Sequence, residues 1–284
     1  MQNHNYNFSC TACGGCCTQS PSMSIYDMIE LSNEFIFQVS HHAVVSQEKK
    51  PLEKALMDHY QTLGHTLVLP EFDSVLFYWI DFSAMNAPSY KQCSKLVDNK
   101  CSIYSERPTS CKLQPLDYKL PEQLQYKTIE FYKEKTLKKQ WACNFTETAP
   151  VILKEDNISS IHLNSLYYNN LQSIKDFTDK YIESMEIYGD RQQEHFKTVF
   201  KAHLSKSILV TDIIQPLFVA INHNIISGKK ADDIVKNQLA LIKKEVERAI
   251  SLKNKEDVKY SRLYKKIIET YEKTLQNKIF DNNT

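Results

Sequence analysis

Apolar and polar positions follow different rules in the two halves of the chain. From residue 161 onward the apolar positions recur at helical spacing. Val235, Leu239, Ile242, Val246 and Ala249 fall on one face, and Tyr260, Leu263, Ile267 and Tyr271 repeat the pattern. The same period predicts helices over 161–187, 190–204 and 212–224, with Gly189 and Gly228 as punctuation. Before residue 146 the elements are shorter and mixed. Ser24 and Asp27 have the spacing of a capping box and open a helix carrying Ile25, Met28 and Ile29. A second helix fits 52–63 and stops at Gly64. The stretch 65–82 is rich in Val, Leu, Phe and Tyr and broken by Pro70, which predicts two short strands, and Asp98-Asn99 marks a turn. The expected fold class is therefore α+β, mostly α: an irregular first domain over 1–150 with short strands, and an all-α helical domain over 151–284. The segment Thr146 to Pro150 is the expected boundary.

A length of 284 residues agrees with two domains, at about 150 residues each. The net charge of +1 argues against a nucleic-acid or polyanion partner. Basic residues exceed acidic ones from Lys229 onward, but both signs are interspersed, as on a solvated face. The polar stretch from Met1 to Ser9 has no apolar core of a secretory signal, and no apolar run approaches the roughly 18 residues of a membrane span. The expectation is a cytoplasmic protein without a membrane partner. In that reducing compartment eight cysteines do not read as four disulfides.

All eight lie in the first half: Cys10, Cys13, Cys16, Cys17, Cys93, Cys101, Cys111 and Cys143. Two residues between cysteines let the chain turn both sulfurs toward one ion, and Cys10 to Cys17 makes that step twice in succession. Two of the five glycines, Gly14 and Gly15, sit inside this run, where they open left-handed backbone and aim N–H groups at sulfur. Side chains of adjacent residues diverge, so Cys16 and Cys17 point to two centres. Eight thiolates also fill two shells of four. The other ligands must then come from Cys93, Cys101, Cys111 and Cys143, which makes metal part of the first domain's stability. Two divalent ions cancel only half of eight negative charges. Lys91, Lys95, Lys100, Arg107 and Lys112 are candidates for the remainder. Arg107 is the strongest, because its planar donors reach several sulfurs; its alternative is a loop ion pair with Glu106 or Asp98.

The blocks Phe8-Ser-Cys-Thr-Ala-Cys-Gly-Gly-Cys-Cys17 and Cys101-Ser-Ile-Tyr-Ser-Glu-Arg-Pro-Thr-Ser-Cys111, with Cys93 between them and Ala142-Cys143-Asn144 after them, resemble the CxxCxxCC family of zinc- or iron-chelating proteins, called YkgJ-like. The resemblance takes in about residues 8–145. It implies a metal-binding cysteine cluster with all eight cysteines as ligands, for zinc or iron, including a [4Fe-4S] form. A more distant branch contains flagellin lysine-N-methylases. It implies an alternative function as an iron-sulfur-dependent protein-modifying enzyme, although this chain has no G-x-G-x-G loop and no C-x3-C-x2-C run.

Thiolate ligands suit zinc and iron-sulfur centres alike, and the first three cysteines have ferredoxin spacing. Two readings follow. In one, two closed four-cysteine centres hold the first domain together and the helical domain engages a protein partner. In the other, an open centre serves a redox or group-transfer enzyme. His41, His42 and His59 are weaker candidates as nitrogen ligands, and His195 and His203 read as a helix face. Tyr104 is a candidate for packing over the cluster, and Trp79 and Trp141 read as core or rim aromatics.

Overall fold

The structure is a computed structural model that describes residues 4–17, 20–47, 53–69, 74–85, 92–186, 194, 196–199, 201, 210–253 and 255–280. In chain order the first half contains β1 (Tyr6–Asn7), β2 (Ser22–Met23), α1 (Ile25–Glu30), β3 (Phe37–Gln47), α2 (Lys54–Leu63), β4 (His65–Leu69), β5 (Ser74–Ala84), β6 (Leu96–Val97), β7 (Lys100–Cys101), α3 (Thr109–Leu113) and α4 (Gln125–Leu137). The second half contains β8 (Val151–Lys154), β9 (Asn157–Ile158), α5 (Ile161–Glu186), β10 (Val210–Thr211), α6 (Ile214–Asn222), α7 (Gly228–Leu252) and α8 (Lys255–Gln276). The α+β, mostly α class is as expected. Among the described residues, the second half departs from pure helix at the β8–β9 hairpin and at β10. Lys91, Gly189, His195 and His203, and most of the helix expected over 190–204, lie outside the described residues. No helix among those described is long and apolar enough to cross a membrane.

Local signals act where they stand in the sequence. The Ser24 hydroxyl accepts from the Asp27 N–H at 3.2 Å and the Asp27 carboxylate accepts from the Ser24 N–H at 3.2 Å, closing the capping box of α1. Gly64 caps α2. Asp98 and Asn99, both with left-handed φ, turn β6 into β7. Strand β3 was not anticipated, although Phe37, Val39, His41, Ala43 and Val45 alternate along it, and β5 is much longer than a short strand.

The pairing of β3 with β5, antiparallel over eleven residues, organises the molecule. The opposite edge of β5 is shared by β4 at one end and β2 at the other, and β10 lies outside β3. Because side chains alternate, β5 buries both faces. Leu76, Tyr78, Ile80, Phe82 and Ala84 face a core completed by α1, α6, α7, α8 and the C-terminal half of α5. Trp79, on the other face, joins a second core with Leu113, Leu116, Tyr118, Ile129, Tyr132 and the N-terminal half of α5. Each core draws residues from both sides of position 150, and β1 pairs with β8.

Two fully buried glutamines fasten irregular chain to these layers. Gln238 accepts from the Phe37 N–H at 2.8 Å and donates to the Ser32 and Phe35 carbonyls at 2.7 Å each, holding the entry to β3 against α7. Gln125 accepts from the Asp117 N–H and donates to the Asp117 and Leu120 carbonyls, which fixes the turn carrying Tyr118. Gln238→Ala orphans three buried backbone groups at about 1–3 kcal/mol each, so a loss of about 3 kcal/mol or more is expected in urea unfolding. A loss below 1 kcal/mol contradicts this role.

Candidate metal centre

The loop of the first four cysteines is anchored by backbone pairing. Ser9 and Asn144 exchange both hydrogen bonds of an antiparallel bridge, at 2.9 and 3.2 Å. The Thr11 hydroxyl donates to the Ala142 carbonyl at 2.7 Å two residues along. This register sets Cys10 opposite Cys143 on the same side of the ribbon. Gly14 has φ +71° and turns the chain, with the Cys17 N–H donating back to its carbonyl at 3.0 Å. A Cβ on Gly15 would lie 2.4 Å from the Trp141 ring, so only glycine fits there. Gly15→Ala is expected to displace Trp141, cost about 1–3 kcal/mol and shift the Trp141 fluorescence; an unchanged spectrum would contradict the contact.

The later cysteines reach the loop by three routes. The Cys93 N–H donates to the Cys17 carbonyl at 2.6 Å. Cys101 stands at the end of β7, opposite Leu96. Cys111 lies in α3, whose start is tied to α1 because Asp27 also accepts from the Thr109 N–H at 3.1 Å and hydroxyl at 2.8 Å. One cavity of about 310 Å³ is lined by all eight cysteines, and all eight are free thiols.

Their electrostatics divide them. Burial pushes the Cys111 thiol up to about 12, helped by Cys93, Cys16 and Cys101 and opposed by Arg107. Burial also raises Cys93, with Cys101 and Cys16 adding to it. Burial raises Cys143 to about 11 against the Thr136 hydroxyl, with Cys13, Cys16 and Cys10 as its charged neighbours. One group is thus Cys93, Cys101 and Cys111, and the other is Cys10, Cys13 and Cys143. Cys16 belongs to both. A hydrogen bond to Cys17 raises its thiol most, followed by burial. Cys13 differs: burial works against its thiolate, but the Ala142 and Gly15 N–H groups and the Thr11 hydroxyl outweigh burial and lower its pKa.

Donor type and number fit a soft cation, and two orphaned donors point the same way. Arg107 and Ser110 line the cavity, and the buried Arg107 Nε and Ser110 Oγ have no hydrogen-bond partner among the described residues; both need an acceptor such as a thiolate or an inorganic sulfide. The shells are not closed, however. Among the described residues no three His, Cys, Asp or Glu side chains are gathered tightly enough to hold an ion.

Arg107 makes no ion pair with Glu106 or Asp98; its guanidinium lies 3.9 Å over the Tyr104 ring, so Tyr104 packs on Arg107. Lys95 also lines the cavity but is paired with Glu34 at 2.7 Å, while Lys100 and Lys112 do not line it. His41 contacts Tyr78 and His59 contacts the Tyr118 carbonyl, both at 2.8 Å and neither in the cavity. Burial lowers the pKa of His59. Trp79 is a core residue whose ring stacks with those of His42 and Tyr60. Sequence reasoning missed one constellation. The Tyr118 hydroxyl, on the cavity wall, donates to the fully buried Asp81, and His42 Nε2 lies 2.9 Å from the same carboxylate. Burial opposes ionisation of Asp81, but His42, Lys119 and Tyr118 together hold its carboxyl below the usual range.

Residues 9–144 match the family model CxxCxxCC, described as a putative zinc- or iron-chelating domain. No curated protein and no solved structure matches the chain.

Proposed function

Because residues 9–144 of this chain belong to the CxxCxxCC family, we propose that it binds zinc or iron, the latter including an iron-sulfur form, in two four-thiolate centres. The observation that carries the proposal is the convergence of all eight thiols, drawn from both ends of the first 145 residues, on one cavity. Cys10, Cys13 and Cys143 form the first centre and Cys93, Cys101 and Cys111 the second. The adjacent pair supplies the fourth thiolate of each. Metal in these centres neutralises thiolate charge and cross-links loops that have little regular structure of their own. Arg107 compensates residual charge at the second centre, beside Cys111.

Cys143→Ser and Cys101→Ser separate the two centres. Each is expected to bind half the metal of the parent chain after anaerobic reconstitution, and the double variant almost none. Full metal content in either single variant contradicts the assignment.

The non-thiol wall of the cavity, with Gln114, Asp117, Tyr118 and Lys119, favours a second reading in which the second centre serves an iron-sulfur-dependent modifying enzyme. Its signature is a visible spectrum that bleaches under dithionite and changes when a substrate is added. A colourless zinc protein with the same cavity removes that reading.

A further inference from the structure

We propose that Cys10 and Cys143 are a peroxide-sensitive pair whose oxidation to a disulfide empties the first centre and leaves the second loaded. The inference rests on the two-centre reading for its consequence, and on backbone geometry for its pairing. The reciprocal Ser9–Asn144 hydrogen bonds and the Thr11–Ala142 contact bracket the pair, so Cys10 and Cys143 occupy a directly opposed, non-hydrogen-bonded site of an antiparallel ribbon. Cα atoms at such sites are about 4.5 Å apart, within the roughly 4.4–6.8 Å that a disulfide spans. The competing neighbours Cys16 and Cys17 are poorly placed, since consecutive Cα atoms are held at about 3.8 Å. Access favours Cys10 as the thiol that peroxide reaches first: of the eight it alone is exposed.

The chemistry balances with hydrogen peroxide as oxidant. The Cys10 thiolate attacks one peroxide oxygen, the O–O bond breaks, and the second oxygen leaves as hydroxide, which takes a proton from solvent to become water, giving a sulfenic acid at Cys10. The Cys143 thiolate then attacks the Cys10 sulfur; the S–S bond forms, the S–O bond breaks, and the hydroxide released takes a second solvent proton to become water. Two thiols lose two electrons, and one peroxide takes them. The first centre loses two of its four ligands, while Cys93, Cys101 and Cys111 are untouched.

The test uses the full chain loaded anaerobically with Zn²⁺, which is itself redox-silent, and then titrated with hydrogen peroxide. Released zinc is read with a colorimetric chelator, and linked peptides are mapped by mass spectrometry after thiol blocking. One of two bound zinc ions is expected to leave per peroxide consumed, with a Cys10–Cys143 peptide appearing in step and rebinding after dithiothreitol. Release of neither ion or of both together, or a disulfide on any other pair, overturns the inference and leaves the two-centre reading standing. If the untreated chain holds no zinc or iron, the two-centre reading fails. Peptide mapping of the peroxide-treated chain then decides the pairing alone: a Cys10–Cys143 link supports it, and any other link or none overturns it.

Discussion

Stripping metal from the reduced chain is expected to unravel the cysteine-bearing loops while the helical core stays folded. The segments around 10–17 and 92–113 have almost no ladder of their own: a two-residue hairpin, a five-residue helix and a few turn bonds. They also bring seven of the eight thiols into one cavity, where burial and mutual repulsion work against ionisation. Binding at structural thiolate sites is worth about 10–16 kcal/mol in apparent free energy, larger than anything the loops supply internally. The other core, between β5 and the helices α6, α7 and α8, holds no cysteine in its fully buried set. Chelation under anaerobic reducing conditions should therefore speed amide exchange over 92–113 by several orders of magnitude. Exchange along α7 and the helical circular dichroism should change little. Uniform loss of protection across the chain would show that metal is not local to these loops.

The second large effect is expected at Asp81. A carboxylate at 1 % exposure in the middle of a central strand is kept charged by His42, Lys119 and the Tyr118 hydroxyl. Breaking such a buried arrangement by removing one partner costs about 3–5 kcal/mol, so Asp81→Asn should lose that much in urea unfolding at pH 7. The pH dependence has a definite sign. The folded carboxyl titrates below the unfolded value of about 3.9, so its stabilisation is fully present above that value and disappears as pH falls through the folded pKa. The stability difference between the parent chain and Asp81→Asn should therefore narrow from pH 7 toward pH 3, both compared in the same metal state. A difference that stays constant over that range means Asp81 is not ionised in the folded protein.

What the sequence made legible was what is encoded locally. The Ser24–Asp27 box, the Gly64 stop, the Asp98-Asn99 turn and the α7 stripe each need only a few neighbouring residues to act, and all stand in the structure. The cysteine spacing foretold a gathering of thiols, and the eight do share a cavity. Strand β3 was missed although its alternation was present, because His41, His42 and Ser46 dilute the apolar signal and only the eleven-residue partner β5 makes it a strand. The Asp81–Tyr118–His42 group was illegible for another reason. Its members lie 37 or more residues apart in sequence, and nothing near any of them announces the others. The glutamine clamp at Gln238 reaches 201 residues back to Phe37, and only the packed fold reveals it.

X-ray absorption at the metal edge of the anaerobically isolated chain tests the central claim most directly. A first shell of four sulfurs per metal at about 2.3 Å, with no nitrogen or oxygen, is the predicted result. A shell containing histidine nitrogen or carboxylate oxygen would contradict it.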